Sequence, residues 1–479
     1  MDLQRVQREQ RQRRAVFVDW FDMDVLAQVL DTDPRPENVF ITGGANNLPE
    51  ESVLIDEALR DGWKIERYVN VSERDGERRM AITYRREDTK IEIRSAAEWI
   101  GPDLHAALAQ RAWGRLRRDL QAAFGEHAVL LASPAQTGQD LLERSLPRRK
   151  LESGELDPYT FPVIPDGVLD LLYTTAGQGR LETFKHKGVI DTLYGLDGVW
   201  MYAACLSNLP NGPLTMDTKS EGPGWASGFL TASVHVPKDW AHIGLLPEIY
   251  DGDDGETHRR YPNTPGQWFS STMTTAEYQL AISQGWDVRI KRRYLWHKPA
   301  CDPARVWRDK LVALRERYTI AAKRGDIVAA ALSQTIRRLM LNTIGLWFSH
   351  QAFTDGYVRR EDIPQLMADH PDAHVQVHGR HWFYVRIPRD PSGNVWQHPE
   401  WAAQVWGKAR AKLAAVALGM PFESIVSLRT DAIWATYDPG WPDVGKPGTF
   451  RLKQIVEGPV LPPFGEADMR AILARARSV

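Results

Sequence analysis

Residues 302–348, DPARVWRDKLVALRERYTIAAKRGDIVAAALSQTIRRLMLNTIGLWF, repeat apolar side chains at helical spacing, punctuated at Gly325. So long a helical stretch has no place inside a sheet, yet strand-like runs lie on both sides of it. The chain must therefore mix helices and sheets.

Before that stretch, residues 15–145 read as a mixed α/β unit. AVFVDW and NVFITGG look like short strands, RRMAITYRR with KIEIRS like a hairpin pair, and HAVLLAS like a further strand. DLHAALAQRAWGRLRRDLQAAFG carries helical spacing and stops at glycine. LPRRKLESGELDPYTFPVIPDG is rich in proline, glycine and charge, which places a boundary near residues 146–167. Beyond it the elements alternate. GVIDTLYGLDGVWMY, GFLTASVHVP and DVRIKRRYLWHK contain strands, and EYQLAISQGW is a short helix. AHVQVHGRHWFYVRIPRDPSGN reads as a hairpin or small insertion. EWAAQVWGKARAKLAAVALGM is a helix stopped by Gly419 and Pro421, and SIVSLRTDAIWATY reads strand, turn, strand. The second half is α+β.

Charge sets limits on partners. Lys and Arg nearly balance Asp and Glu, for a net charge of −2, so any nucleic-acid affinity has to come from a local basic surface. Five arginines precede Ala15, as a solvated helix or frayed tail, or as a nucleic-acid arm. Cys205 and Cys301 supply neither a disulfide framework nor metal-ligand spacing, which fits a reducing cytosol. No run approaches the ~18 apolar residues of a membrane span, and Asp19 interrupts the only apolar run near the start. The expectation is a soluble cytoplasmic protein.

Three stretches carry candidate chemistry. In LDGVWMYAACLSNLPNGP, Asp197 opens a largely apolar run that looks like a strand, with Tyr202 five residues on. In SQTIRRLMLNTIGLWF, Gln334, Arg338 and Asn342 fall at i, i+4 and i+8 on one helix face. That stripe is either a solvated face or a set of donors for a polyphosphate and a base edge. In SIVSLRTDAIWATY, Thr430-Asp431 sits where two strands should meet in a tight turn, a common place for aspartate.

Taken in order, the three resemble motifs A, B and C of family B DNA polymerases, most closely the protein-primed branch of linear phages and plasmids. The family's D-x-x-S-L-Y-P is matched by DGVWMYA, with LPNG following; its K-L-M-L-N-S-x-Y-G by RLMLNTIGL; and its D-T-D-S by RTDA. The resemblance covers about residues 170–457. It implies an α/β plus α+β architecture: a basic arm (1–14), an RNase H-like, exonuclease-like domain (15–165), a palm (166–300 and 397–445), fingers (301–350), an insertion (351–396) and a reduced thumb (446–479). Its implied partners are primer-template DNA, dNTPs, and a terminal priming protein or other replication factor, in a phage or mobile element.

The resemblance also assigns roles. Asp197 and Asp431 are the catalytic pair and hold two Mg²⁺ ions, with Mn²⁺ as a substitute; such ions sit about 3.5–4 Å apart. Magnesium takes hard oxygen ligands and keeps waters, so one carboxylate per strand plus phosphate oxygens suffices. Gly198, Val199, Trp200, Met201 and Tyr202 line the nucleotide, with Tyr202 under the sugar. Arg338 meets the phosphates and Asn342 the base. Gln334 is a DNA contact. Lys453, in GKPGTFRLKQIVEG, stands for the lysine of the family's K-x-Y element, with Ile455 in place of tyrosine, or else the stretch is a plain basic loop.

Several positions depart from the pattern. Arg429 replaces the first aspartate of motif C, where a guanidinium competes with a cation unless it points away. Trp200-Met201 stand for Ser-Leu, Arg338 for lysine, and Gly345-Leu346 for Tyr-Gly. Asp19, Asp22 and Asp24 lie in VDWFDMD without the D-x-E pair of an exonuclease; Asp140 is the other echo of that site. The first domain is thus expected to lack proofreading. Two other readings stay open: an inactive polymerase-like scaffold, and a nuclease built on the Asp19 cluster.

Overall fold

The computed structural model describes residues 14–478 except 20–23, 26–27, 30–35, 43–62, 75–76, 87–88, 102, 151–155, 158, 160, 177–178, 187, 218–226, 252–256, 297–301, 349–352, 379–381, 389–396 and 464. The basic arm up to Arg13, Asp22 and Cys301 lie outside the described residues. The chain divides into two compact units: residues 1–145 with 309–397, and residues 146–308 with 398–479.

The first unit is built on a five-stranded sheet. Ala15–Val18, Asn38–Ile41 and Thr89–Ser95 run parallel, and Glu77–Arg86 and Lys64–Arg74 continue the sheet antiparallel. The middle strand of the parallel set, Asn38–Ile41, is buried on both faces and is almost wholly apolar. The helix Ala106–Phe124 buries Ala109, Ala112, Trp113, Leu116 and Leu120, and Trp113 meets Phe17 edge-on at 5.6 Å and Phe40 at a tilt at 5.2 Å. The helical stretch 302–348 forms Arg305–Lys323 and Ile327–Phe348, broken at Gly325, whose φ of +93° suits glycine. Ile327–Phe348 presses on the helix Pro134–Ser145 so closely that a Cβ on Gly138 would lie 2.0 Å from Thr343 Oγ1.

HAVLLAS is not a strand. It connects two helices, with Ala128, Val129, Leu130 and Ala132 buried. Side chains meet its backbone in place of a neighbouring strand: Leu131 N–H donates to Thr137 Oγ1 at 2.8 Å, and Trp99 Nε1 to the Ala132 carbonyl at 3.2 Å. The sequence hairpin at 374–388 is present as His374–His378 and Trp382–Pro388, with Phe353–Arg359 as a third strand.

The second unit contains two larger antiparallel sheets besides two-stranded ribbons. One has six strands in the order Arg477–Ser478, Phe450–Val460, Ile190–Gly198, Ala432–Ala435, Ile425–Thr430, Arg180–Thr183. Within residues 446–479, expected as a reduced thumb, Phe450–Val460 and Arg477–Ser478 are strands of the Asp197 strand's own sheet. Ile190, Leu193, Val426, Trp434, Val456 and Val460 pack with Met469 and Ile472 of the helix Glu466–Leu473. The other sheet orders Leu214–Asp217, Asp287–Trp296, Gly228–His235 and Trp268–Thr274.

A buried ion pair ties helices together in this unit. Arg410, on the helix Pro399–Ala417, donates to Glu277 at 2.7 Å and to the carbonyls of Thr175 and Ala176 at 3.0 Å. Those carbonyls end the helix Asp166–Ala176, where a cation satisfies orphan acceptors and the helix dipole. Glu277 also completes a capping box with Thr274 at the start of Thr275–Ser283. Burial pushes the Glu277 carboxyl up, but the Arg410 guanidinium outweighs it and holds the group below its usual value.

Replacing Arg410 by Met should leave Glu277 buried and uncompensated, lowering the unfolding free energy by about 3–5 kcal/mol in a urea titration. The double variant Glu277→Leu/Arg410→Met should recover most of that loss; a single-variant loss below about 1 kcal/mol would contradict this role. Because Glu277's folded value is depressed, its contribution is present above the ordinary carboxylate value of ~4.3 and fades as pH falls through the lowered one.

Candidate active site

Asp197 is the penultimate residue of the strand Ile190–Gly198, not the head of a strand. The apolar run after it turns at Val199–Trp200 and becomes the helix Met201–Cys205, because Trp200 takes a left-handed φ of +47°. The turn between Ile425–Thr430 and Ala432–Ala435 is closed by Thr430-Asp431, with Thr430 at φ +58°. Three non-glycine residues have positive φ among the described residues, and these two flank the aspartates.

Strand register brings the aspartates together. Asp197 pairs with Ala432 on one side and Arg451 on the other, and Gly198 N–H donates to the Asp431 carbonyl at 2.8 Å. That approach needs a glycine: a Cβ on Gly198 would sit 3.1 Å from Asp431 O and 2.6 Å from Met201 Cε. Two residues back, a Cβ on Gly195 would sit 2.6–2.9 Å from the Trp434 ring. Arg429, the expected competitor, lies opposite Ala432 and Leu181 in register.

Asp197 carries a cation of its own chain: Lys453 Nζ lies 3.0 Å from Asp197 Oδ1. The strand Phe450–Val460 slips register between Leu452 and Gln454, which makes Lys453 the extra residue of a bulge. A bulge re-aims its side chain, and this one lands on the aspartate. Sequence reasoning missed the contact. Its signal was the doubled polar position Lys453-Gln454, which breaks the alternation of a half-buried strand.

The loop after Asp197 is pinned. Gly198 and Val199 N–H are committed to the carbonyls of Asp431 and Thr449, the latter at 2.7 Å, so these two expected nucleotide-lining amides are already bonded. Trp200 lies in the turn just before the helix, and Met201 and Tyr202 open it. Lys408 Nζ donates to the Ser207 carbonyl at 2.5 Å beyond it; burial pushes Lys408 down to about 8 and the neighbouring Cys205 thiol up to about 11, an inert thiol. Tyr202 is buried, with its ring edge-on to Trp406 at 4.8 Å.

Gln334, Arg338 and Asn342 belong to the other unit, on the helix Ile327–Phe348. Gln334 is exposed and the other two half-buried, opposite the apolar face of Ile336, Leu339, Met340 and Ile344. Arg338 Nη1 lies 3.4 Å from the Trp99 carbonyl. The exonuclease echoes have structural partners in the same unit: Asp19 Oδ1 accepts from Thr42 Oγ1 and, at 2.7 Å, from Ala106 N–H at a helix start, and Asp140 pairs with Arg144 at 2.7 Å. Among the described residues no three His, Cys, Asp or Glu side chains gather for a metal. Two hard carboxylates at adjoining backbone positions fit an ion that completes its shell with waters and phosphate oxygens.

The fold is a DNA polymerase fold, of the kind solved for Phi29 DNA polymerase. The ternary complex of that enzyme with primer-template DNA and incoming nucleotide substrates matches with a TM-score of 0.56 at 12% identity, over 91% of this chain and 79% of that one. Its post-translocation binary complex with primer-template DNA matches at 0.55 and 12%, over 91% and 78%. Its complex with single-stranded DNA matches at 0.53 and 13%, over 91% and 78%. No family model and no curated protein matches the sequence. No helix among the described residues is long and apolar enough to cross a membrane.

Gly195→Ala drives a methyl group into the buried Trp434 ring beside the Asp197 strand. It should lower stability by about 1–3 kcal/mol in thermal or urea unfolding, and an unchanged midpoint would show that the strands are not held this tightly.

Proposed function

We propose that this chain is a DNA-directed DNA polymerase that extends a primer with dNTPs through Asp197 and Asp431. The observation that carries the reading is that Asp197 pairs with Ala432, next to Asp431, while Gly198 N–H bonds the Asp431 carbonyl, so these distant aspartates lie at adjoining strand ends. The polymerase fold supports it. Asp197 and Asp431 would hold two Mg²⁺ ions, or Mn²⁺ in their place, which supply activation of the primer 3′-hydroxyl and charge stabilisation on the triphosphate.

The chain's own groups do the positioning. Gly198 and Val199 lock the motif A turn by their backbone bonds, and the amides of Trp200, Met201 and Tyr202 face the triphosphate. The Tyr202 ring, braced by Trp406, fills the space a ribose 2′-hydroxyl would need. Arg338 neutralises phosphate, Asn342 reads the incoming base edge and Gln334 touches DNA; these three roles rest on the motif resemblance. Lys453 would contact the primer strand, a role that also rests on the motif resemblance. Priming from a terminal protein, or recruitment by another replication factor, and an origin in a phage or mobile element follow from the branch resemblance. Absence of proofreading is supported by the structural engagement of Asp19 and Asp140.

The first test is primer extension with Mg²⁺ or Mn²⁺ by the wild type, Asp197→Asn and Asp431→Asn. Loss of several kcal/mol of charge stabilisation predicts roughly 10²–10⁴-fold slower incorporation in either variant. A wild type no faster than Asp431→Asn on any primer-template would make the protein a polymerase-shaped scaffold instead.

A second test reads the ions directly. Lys453→Met removes a cation from Asp197, and a half-exposed pair of this kind is worth about 0–1 kcal/mol. Mn²⁺ affinity, followed by electron paramagnetic resonance, should rise up to about fivefold. Unchanged or weaker affinity would show that the ammonium does not compete for the aspartate.

A further inference from the structure

The second sheet of the 146–308/398–479 unit has one buried face, and a second that is buried at Phe229, Thr274 and Tyr294 and open beyond them. Leu230, Ala232 and Val234 with Phe269, Ser271 and Met273 are buried on the first. Register places Thr231, Ser233 and His235 on the second, beside Thr272, Ser270 and Trp268 on one neighbour and Arg292, Arg289 and Asp287 on the other. A polar outer face is ordinary for an antiparallel sheet. This one differs in carrying a large aromatic ring and an unbalanced charge.

Trp268 is 47% exposed. Its ring stacks on His235 with centroids 4.6 Å apart, and the Arg289 guanidinium lies 4.4 Å from the ring centroid. The register slips between Thr231 and Ala232, so Lys291 is the extra residue of a bulge. Its Nζ reaches across the middle strand to Ser270 Oγ at 3.3 Å, over the open face. Arg289, Lys291 and Arg292 are all exposed, and the carboxylate among them is Asp287, 3.3 Å from Arg289. Small hydroxyls, Ser233, Ser270, Thr231 and Thr272, keep the centre shallow.

We propose that this open sheet face is a binding site for single-stranded nucleic acid, with a base stacked on Trp268 and the backbone phosphates on Arg289, Lys291 and Arg292. Three cations against one carboxylate complement a polyanion. An exposed ring fixed by its neighbours is a ready stacking platform, which an unpaired base can use and a base inside a duplex cannot. A sheet face this shallow also cannot enter a duplex groove. The site lies apart from the sheet of Asp197 and Asp431, so it holds or fails independently of the polymerase reading.

The test is anisotropy of labelled dT20 with the full chain in EDTA, without divalent ions or nucleotides. Trp268→Ala should weaken binding about 5- to 150-fold, matching ~1–3 kcal/mol for one stacked base, while Trp268→Phe retains most of it. The triple variant Arg289→Ala/Lys291→Ala/Arg292→Ala should reduce the salt slope of log K by roughly two, three phosphates at ~0.7 each. A photoreactive iododeoxyuridine oligomer should cross-link to the peptide containing Trp268. Reading binding in EDTA without nucleotides keeps this outcome separate from catalysis. Unchanged dT20 binding in Trp268→Ala, equal competition by duplex DNA or by poly-glutamate, or cross-links confined to other peptides would overturn the proposal.

Discussion

The strand Ile190–Gly198 hydrogen-bonds along both edges, and nearly every feature of the candidate centre depends on that double pairing. One neighbour delivers Asp431 to Gly198, and the other delivers Lys453 to Asp197. Neither delivery would survive a one-residue slip, because a slip turns each side chain to the opposite face. The register is held by the apolar cluster of Leu193, Trp434, Val456 and Met469 behind the sheet, and by close approaches at Gly195 and Gly198.

Two kinds of charge pairing serve different ends in this unit. Arg410 and Glu277 are almost wholly buried, and each is satisfied by further hydrogen bonds to a helix end or a cap. Removing either partner is costly because the other cannot regain water. Lys453 and Asp197 are both partly exposed, so their attraction is weak and reversible. Trp200 and Thr430, both at left-handed φ, show where the backbone accepts strain to keep the aspartates at adjoining ends.

Much of this was legible in the sequence, for identifiable reasons. Helices with strong apolar periodicity, such as Ala106–Phe124 and Ile327–Phe348, follow directly from spacing, and the Thr430-Asp431 turn follows from alternating strands on both sides. HAVLLAS misled because a buried helix-to-helix connection is as apolar as a strand, and periodicity does not separate them over seven residues. The run after Asp197 misled for a similar reason: VWMYAAC is apolar all round, and the left-handed Trp200 that converts it to helix leaves no compositional mark. The place of Phe450–Val460 inside the sheet was hidden by its bulge and its charges, which read as a basic loop. What no local pattern could give was the Lys453–Asp197 contact, since it depends on long-range register.

The most direct measurement of the central claim is anomalous diffraction from crystals soaked in Mn²⁺ with a non-hydrolysable dNTP and a primer-template. The account predicts manganese peaks coordinated by both Asp197 and Asp431, with the Lys453 ammonium moved off Asp197. Manganese absent from the two carboxylates at saturating concentration, with Lys453 still seated on Asp197, would contradict it.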